Sequence, residues 1–522
     1  MEAGEIAREM ARLLRESTRS AEFTGAVLRI HNTGGGLSIQ AETTSGRYLD
    51  PDMTALGDLF RPLPPSIYEV RLTRTGEYSF VATPDVGTTS PAWLVFDEDF
   101  RYPAHPLPGM PLPERSLPTG APTDPAVLAR ITALIAEFSG LYQGIKGRAP
   151  DWEPGCTEAE LAEAEARIGA RLPEDLRALY RVTAWDKDET GLLGRYAHDP
   201  LHRLIEYYLD GAPGSHGWQD RVHDEGVVFE TSPAGRVKRL SRNDWWITFG
   251  SDHAGDFLAV DLDPAAHGTS GQVLEYGRNV WGPIRFVAGS ITGMLEEVVR
   301  ALRAGEYEDD PDEAEEPGVF VDANFHDEGG RTHDQVLNET TDLGGVESPE
   351  LVQELYLNDP GSVDLAILNP LSSLRHLRVN RAESVVANLS VFPVLEAASI
   401  ESSKVDLTGL AGHATLWSLS LAGVTHPIDF GPLTKLPGLI RLGLAGLDVP
   451  ELHRLGELTS VRVLTLDAGQ VHELLGSAVT LPPLAAIQIT GGAPLREVVD
   501  LRRKLRPDLP APKILEASGT LD

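Results

Sequence analysis

A single cysteine, Cys156, stands in 522 residues. No disulfide, CxxC pair or cysteine zinc site can therefore form within one chain. Basic residues are scarce too: 45 Lys and Arg face 78 Asp and Glu, a formal charge of −33. Nucleic acid and anionic membrane each require a basic face, so neither is expected as a direct partner. No apolar run approaches a membrane span. The acidic start, Met1-Glu2-Ala3-Gly4-Glu5, does not read as a signal peptide, and the expected location is cytoplasmic. Phosphate-loop, G-x-S-x-G and H-E-x-x-H patterns are missing, so no enzyme, cofactor or metal is expected. His198 and His202 have a spacing that suits zinc on a helix, but Pro200 lies between them. Asp261 and Asp263 lack the further oxygen ligands calcium requires and read as turn aspartates.

What is present falls into blocks, and the length suggests three domains. Residues 1–101 read as a small α+β module. Ile6, Met10, Leu13 and Leu14 give a helical stripe, and strands are expected at 26–31, 37–41, 67–73, 78–83 and 92–97. Gly34-Gly35-Gly36 makes a turn between the first two. Prolines crowd residues 102–125, which favours an extended, semi-rigid linker. A domain at 126–303 follows. Between 304 and 350, 16 acids face one base, Arg331; this is either a solvated spacer or a lure for a basic ligand.

From Val352 the unit L-x-x-L-x-L recurs seven times, with first positions at 352, 374, 395, 416, 439, 461 and 484. No unit can bury its leucines alone, so neighbours must stack into an α/β solenoid over 351–505. The pattern resembles the leucine-rich-repeat family. The asparagine ladder of that family is not expected, because Pro360, Ala382 and Ser403 stand after the first strands. A helix through Leu495, Val498, Val499 and Leu501 would cap the open end. Residues alternating with the buried leucines, among them Tyr356, Arg378, Glu401, Arg441 and Asp467, are either solvated sheet positions or a docking face.

The stretch from Trp245 to Tyr276 reads as two strands around a small-residue turn, with W-x-x-x-G-x-D-x-x-G-D, D-L-D-P and G-x-V in order. Upstream, Thr157 and Glu160 form a capping-box pattern. Downstream, Ser290 can cap a helix carrying Ile291, Met294, Leu295 and Val298 on one face. Together these features resemble the SUKH superfamily (the Smi/Knr-like domain) over 150–303. One departure is Val182-Thr183-Ala184-Trp185-Asp186, where members have Asn-Gly. The first module is in turn similar to small bacterial immunity domains of the YezG type.

The fold expected is thus multidomain: an α+β SUKH-like domain in the centre, a small α+β N-terminal module, and an α/β repeat solenoid at the C-terminus. The resemblance implies a non-catalytic immunity protein that neutralises a basic, nuclease-type toxin domain by direct binding. Trp185, Trp218, Asp252, Asp256 and Asp261 are the candidate contacts, with the repeat-face residues as a second surface. The alternative is a scaffold or regulatory adaptor in which the repeats do the recognition.

Overall fold

The structure, a computed structural model, describes residues 2–18, 23–88, 92–209, 226–278, 280, 284–308, 322–323, 333–477 and 479–521. Trp218 and Trp281 lie outside the described residues.

The repeats build a ten-stranded sheet. Its main path runs Asp334–Asn338, Glu354–Asn358, His376–Val386, Ala397–Asp406, Ser418–Ala422, Arg441–Gly443, Val463–Asp467 and Ala486–Thr490, all parallel. Leu355, Leu377, Ala398, Leu419, Leu442, Leu464 and Ile487 stand opposite one another and are buried. Short helical turns such as Leu365–Leu368 and Leu433–Lys435 return the chain and close the other side of this leucine layer. The seven sequence units each supply a strand. An eighth, Asp334–Asn338, lies inside the stretch expected to be acidic linker; only Val336 and Leu337 are apolar there, too little to show a repeat.

An asparagine ladder does form in the first three rungs, contrary to expectation. Asn358 Nδ2 donates to Asn338 Oδ1 at 2.9 Å, and Asn380 Nδ2 to Asn358 Oδ1 at 2.7 Å. The ladder residues close their strands, and the next residue turns the chain through left-handed backbone: Glu339, Asp359 and Arg381 have φ of 56°, 50° and 54°. Later rungs use Gly423 and Gly446 for positive φ, where no Cβ is strained.

The first module is not self-contained. Its antiparallel sheet runs Leu37–Thr43, Gly25–Asn32, Ser66–Thr73, Glu77–Thr83 and then Leu515–Thr520 from the far end of the chain, with helix Ala3–Ser17 packed on it. The strand expected to finish that sheet, Ala92–Val95, instead pairs antiparallel with Ala486–Thr490, the last rung of the repeats. Both its faces are apolar: Leu94 continues the repeat core, while Trp93 joins a second cluster. A strand covered on both faces belongs in the interior of an assembly rather than at the edge of a small sheet. A buried pair, Arg29 Nε to Glu69 Oε2 at 2.6 Å, locks the junction. Arg29 also donates to the Gly492 carbonyl, and Glu69 accepts from the Leu495 amide.

The central domain packs helices Pro125–Lys146, Glu158–Ile168, Glu174–Val182, Leu201–Leu209 and Ile291–Ala304 against one antiparallel sheet. Its order is Arg285–Ala288, Gln272–Gly277, Asp256–Asp261, Trp246–Ser251, Ala197–His198. Pro125–Lys146 corrects one expectation. Among the described residues it is the one helix long and apolar enough, by length and composition, to cross a membrane, with a mean hydropathy of 1.2 over its best window. Its isoleucines, leucines, valine and alanines raise that value, although Arg130 and Glu137 interrupt the run. Ile131, Leu134, Ile135, Phe138 and Tyr142 are buried in the domain core.

The proline-rich stretch is laid down as a strap on this domain. Asp244 accepts from the Gly109 and Met110 amides at 2.6 and 2.8 Å, and Trp245 Nε1 donates to the Met110 and Pro111 carbonyls. Arg177, buried, bonds Glu165 and Glu158 at 2.6 Å each, and Glu158 in turn accepts the Thr123 amide. The start of the strap faces the repeats. Tyr102 lies 5.4 Å from Trp417 and 5.1 Å from Phe100, ring centre to ring centre, in a cluster with Trp93, Val227, Ala397 and Val463. Beside it Glu396 accepts from Arg375, Arg239 and Trp417, so the central domain is fastened to the repeat sheet.

Candidate functional site

The glycine-rich turn of the central domain is held by its own aspartate. Asp252 Oδ1 accepts the Ala254 and Asp256 amides, both at 2.8 Å, while His253 and Gly255 take φ of 55° and 113°. Asp252 stays half-exposed. Asp256 and Asp261 do not: they are 2% and 0% exposed. Asp261 accepts the Asp263 amide and Gln272 Nε2, both at 2.9 Å, and burial pushes its carboxyl up to about 6. Asp261 satisfies a turn amide and a strand side chain, Asp256 lies 4.0 Å from Arg195 Nη2, and neither presents surface to a partner. That corrects the sequence assignment of contact roles to them.

Trp185 sits on the two-stranded ribbon Trp152–Pro154 with Thr183–Asp186 and is 38% exposed. The turn after it takes Glu189 at φ 48°, and Glu189 reaches His253 Nε2 at 3.3 Å. That contact joins Trp185 and Asp252 into one corner of the domain. Asp151 and Glu153 flank Trp152 on the same ribbon, and Asp188 and Glu189 follow Trp185. Arg148 meets Asp188 at 2.7 Å and Lys187 pairs with Glu153. The corner carries an exposed indole, and the residues flanking it in the chain and on the paired strand are mostly acidic. Composition could flag the acids; the exposure of this one tryptophan could not be read from them.

On the repeat sheet the candidates separate by row. Tyr356 and Arg378 pair, with the guanidinium 5.3 Å from the ring centre, and Arg378 Nε meets Glu354 at 3.2 Å. Burial opposes ionisation of Glu354, yet the His376 hydrogen bond and the neighbouring positive charges hold its carboxyl below the usual range. Glu401 is exposed. Arg441 is buried, and so are its neighbours across the rungs, Glu354, His376, Ala397, Ser418, Val463 and Ala486. Part of this row is covered by the strap and by Val227. Asp467 caps helix Ala468–Gly476 through the Gln470 amide and also accepts the Gly446 amide. Arg441 is buried and shows little surface to a partner, which corrects its sequence assignment, whereas Asp467 stays half-exposed. His198 is fully buried, its ring pushed down to about 4 by desolvation, whereas His202 is exposed. Among the described residues no three His, Cys, Asp or Glu gather as a metal site requires.

Fold and site together define a multidomain α+β protein whose central antiparallel domain carries an acidic, tryptophan-bearing corner. Residues 155–297 of that domain match the SMI1 / KNR4 family (SUKH-1). The chain is similar to a protein described as KNR4/SMI1 homolog 2 of Debaryomyces hansenii, at 24% identity over 118 residues. The match covers 22% of this chain and 20% of that protein, so it spans about a fifth of the relative's length. Among solved structures an internalin of Listeria monocytogenes aligns over 32% of this chain and 50% of its own, at 17% identity. Its TM-score of 0.23 is too low to carry an argument.

Proposed function

We propose that this chain is a non-catalytic, immunity-type binding protein that neutralises a basic, nuclease-type toxin domain by direct contact in the cytoplasm. The observation that carries the reading is the corner at Trp185, an exposed indole on a ribbon whose chain neighbours Asp151, Glu153, Asp188 and Glu189 outnumber the bases Arg148 and Lys187. Aromatic side chains of this size are the usual anchors of protein interfaces. A net charge of −33 speeds encounter with a basic partner and makes association weaken as salt rises. The similarity of 155–297 to the SMI1 / KNR4 family supports the same reading.

The test is co-expression and titration against basic nuclease toxin domains. Binding should fall from low to high salt, and Trp185→Ala should cost about 2 kcal/mol or more. Failure to protect or co-purify with any such domain would reject the proposal. A second reading, a leucine-rich-repeat scaffold, is favoured by the open part of the sheet around Tyr356, Arg378 and Glu401. Arg378→Glu separates the two. Loss of the partner with Arg378→Glu but not with Trp185→Ala favours the scaffold. Deleting the repeats does not discriminate, because it also strips strand Leu515–Thr520 from the first module.

A further inference from the structure

At the C-terminal end of the repeat core an unfilled cleft of about 600 Å³ opens. It lies between the residues following strand Ala92–Val95, the loop after helix Ala468–Gly476, and the end of helix Leu495–Leu505. Phe96, Leu475, Val479, Leu481 and Leu505 line it and are each only half-buried, so the apolar core continues into the cleft without being closed. At its rim stand Arg462, Lys504 and Arg506 against one acid, Asp97. Asp97 is already met by Arg462 Nη2 at 2.6 Å, and Arg506 is bridged to Asp508 with its guanidinium 5.5 Å from the Phe96 ring centre. Lys504 is exposed and makes no ion pair among the described residues. A cationic rim on an apolar floor is unexpected in a chain of charge −33.

We propose that this cleft binds a linear alkyl carboxylate, with the chain on the leucine floor and the carboxylate at Lys504. Ligand sites combine an apolar floor with a few polar groups that fix orientation, and here leucine, valine and phenylalanine side chains share the lining with charged ones. The headgroup must be anionic, because the side chain able to meet it is a cation. The body is an alkyl chain rather than a peptide. Apart from the charged groups, the lining side chains offer no donors or acceptors, and Pro482 and Pro483 have no amide N–H to give. A peptide backbone there would lose its water without replacement partners.

The site shares no residue with the Trp185 corner, and its fate leaves the docking proposal untouched. The experiment is calorimetric titration of the full chain with dodecanoate below its micelle concentration, alongside dodecanol and butyrate. Dodecanoate should bind saturably at one site. Dodecanol and butyrate should each bind at least tenfold more weakly, the first lacking charge and the second lacking chain. Lys504→Glu, at an exposed position, should weaken dodecanoate tenfold or more with an unchanged melting curve, and Leu481→Asp should do the same from the apolar side. Absence of saturable binding overturns the proposal. So does equal binding of dodecanol, or full retention of affinity by both variants.

Discussion

The Asp186 carboxyl, next to Trp185 in the chain, is buried and uses one oxygen to accept both the amide and the hydroxyl of Thr190 at 2.8 Å. Burial pushes it up to about 6, with Asp188 and Glu189 adding to the rise and the Thr190 bonds opposing it. In an unfolded chain an aspartate titrates near ~3.9, so the native state holds this proton more tightly. Its stabilising share is complete below about pH 4 and is lost as pH rises from about 4 to about 6. Asp186→Asn should therefore raise stability at pH 7, by up to ~3 kcal/mol, since two pK units are worth about that much. Part of the slope between pH 4 and 6 should remain, because Asp261 titrates in the same window. Urea unfolding at several pH values reads both effects; a variant no more stable than wild type at pH 7 contradicts this account. Arg177 behaves oppositely. Removing it leaves Glu165, which is equally buried, with only the Leu172 amide and the more distant Arg171 at 3.8 Å. Arg177→Ala should cost ~3–5 kcal/mol, as broken buried pairs do.

Elements here are defined by what covers them. The proline-rich strap has little secondary structure of its own, and donors and acceptors on the central domain hold it. Trp245→Phe keeps the apolar ring and deletes the two indole bonds, so a loss of ~1–2 kcal/mol is expected. Limited proteolysis between residues 106 and 122 should accelerate at the same time; an unchanged cleavage rate would show that the strap is held elsewhere. Helix Pro125–Lys146 makes a related point. Composition alone admits it as a membrane span, while in the fold one face, including Phe138 and Tyr142, packs into the core of this domain.

For the whole molecule, the decisive feature is that the two ends of the chain complete each other. Strand Leu515–Thr520 finishes the first module's sheet, and strand Ala92–Val95 finishes the repeat sheet. The central domain is inserted between these halves and fastened to the repeats at Glu396 and Trp417. A chain ending at Pro510 should melt at a lower temperature and exchange amide hydrogens faster along Glu77–Thr83, while the core of 155–297 keeps its protection. Undisturbed exchange in Glu77–Thr83 would mean that the C-terminal strand contributes nothing to the module. The same closure limits which part of the repeat sheet a partner can reach, since the row holding Ala397 and Val463 is already covered.

The seven leucine-bearing strands, the capped helices of the central domain and its glycine turn could all be read from the chain, because each rests on contacts or conformations within a few residues. Asp252 and Trp185 could be named as candidates for the same reason. The exchange of strands between the chain ends could not, because a five-residue apolar stretch such as Ala92–Phe96 pairs with whichever edge is nearest in space. Nor could the burial of Asp256, Asp261 and Arg441 be read, since an aspartate or arginine looks the same in sequence whether it meets water or a neighbour's amide. Periodicity determined which residues form strands and helices; only the tertiary structure decided which faces those elements still show, because coverage comes from segments hundreds of residues away.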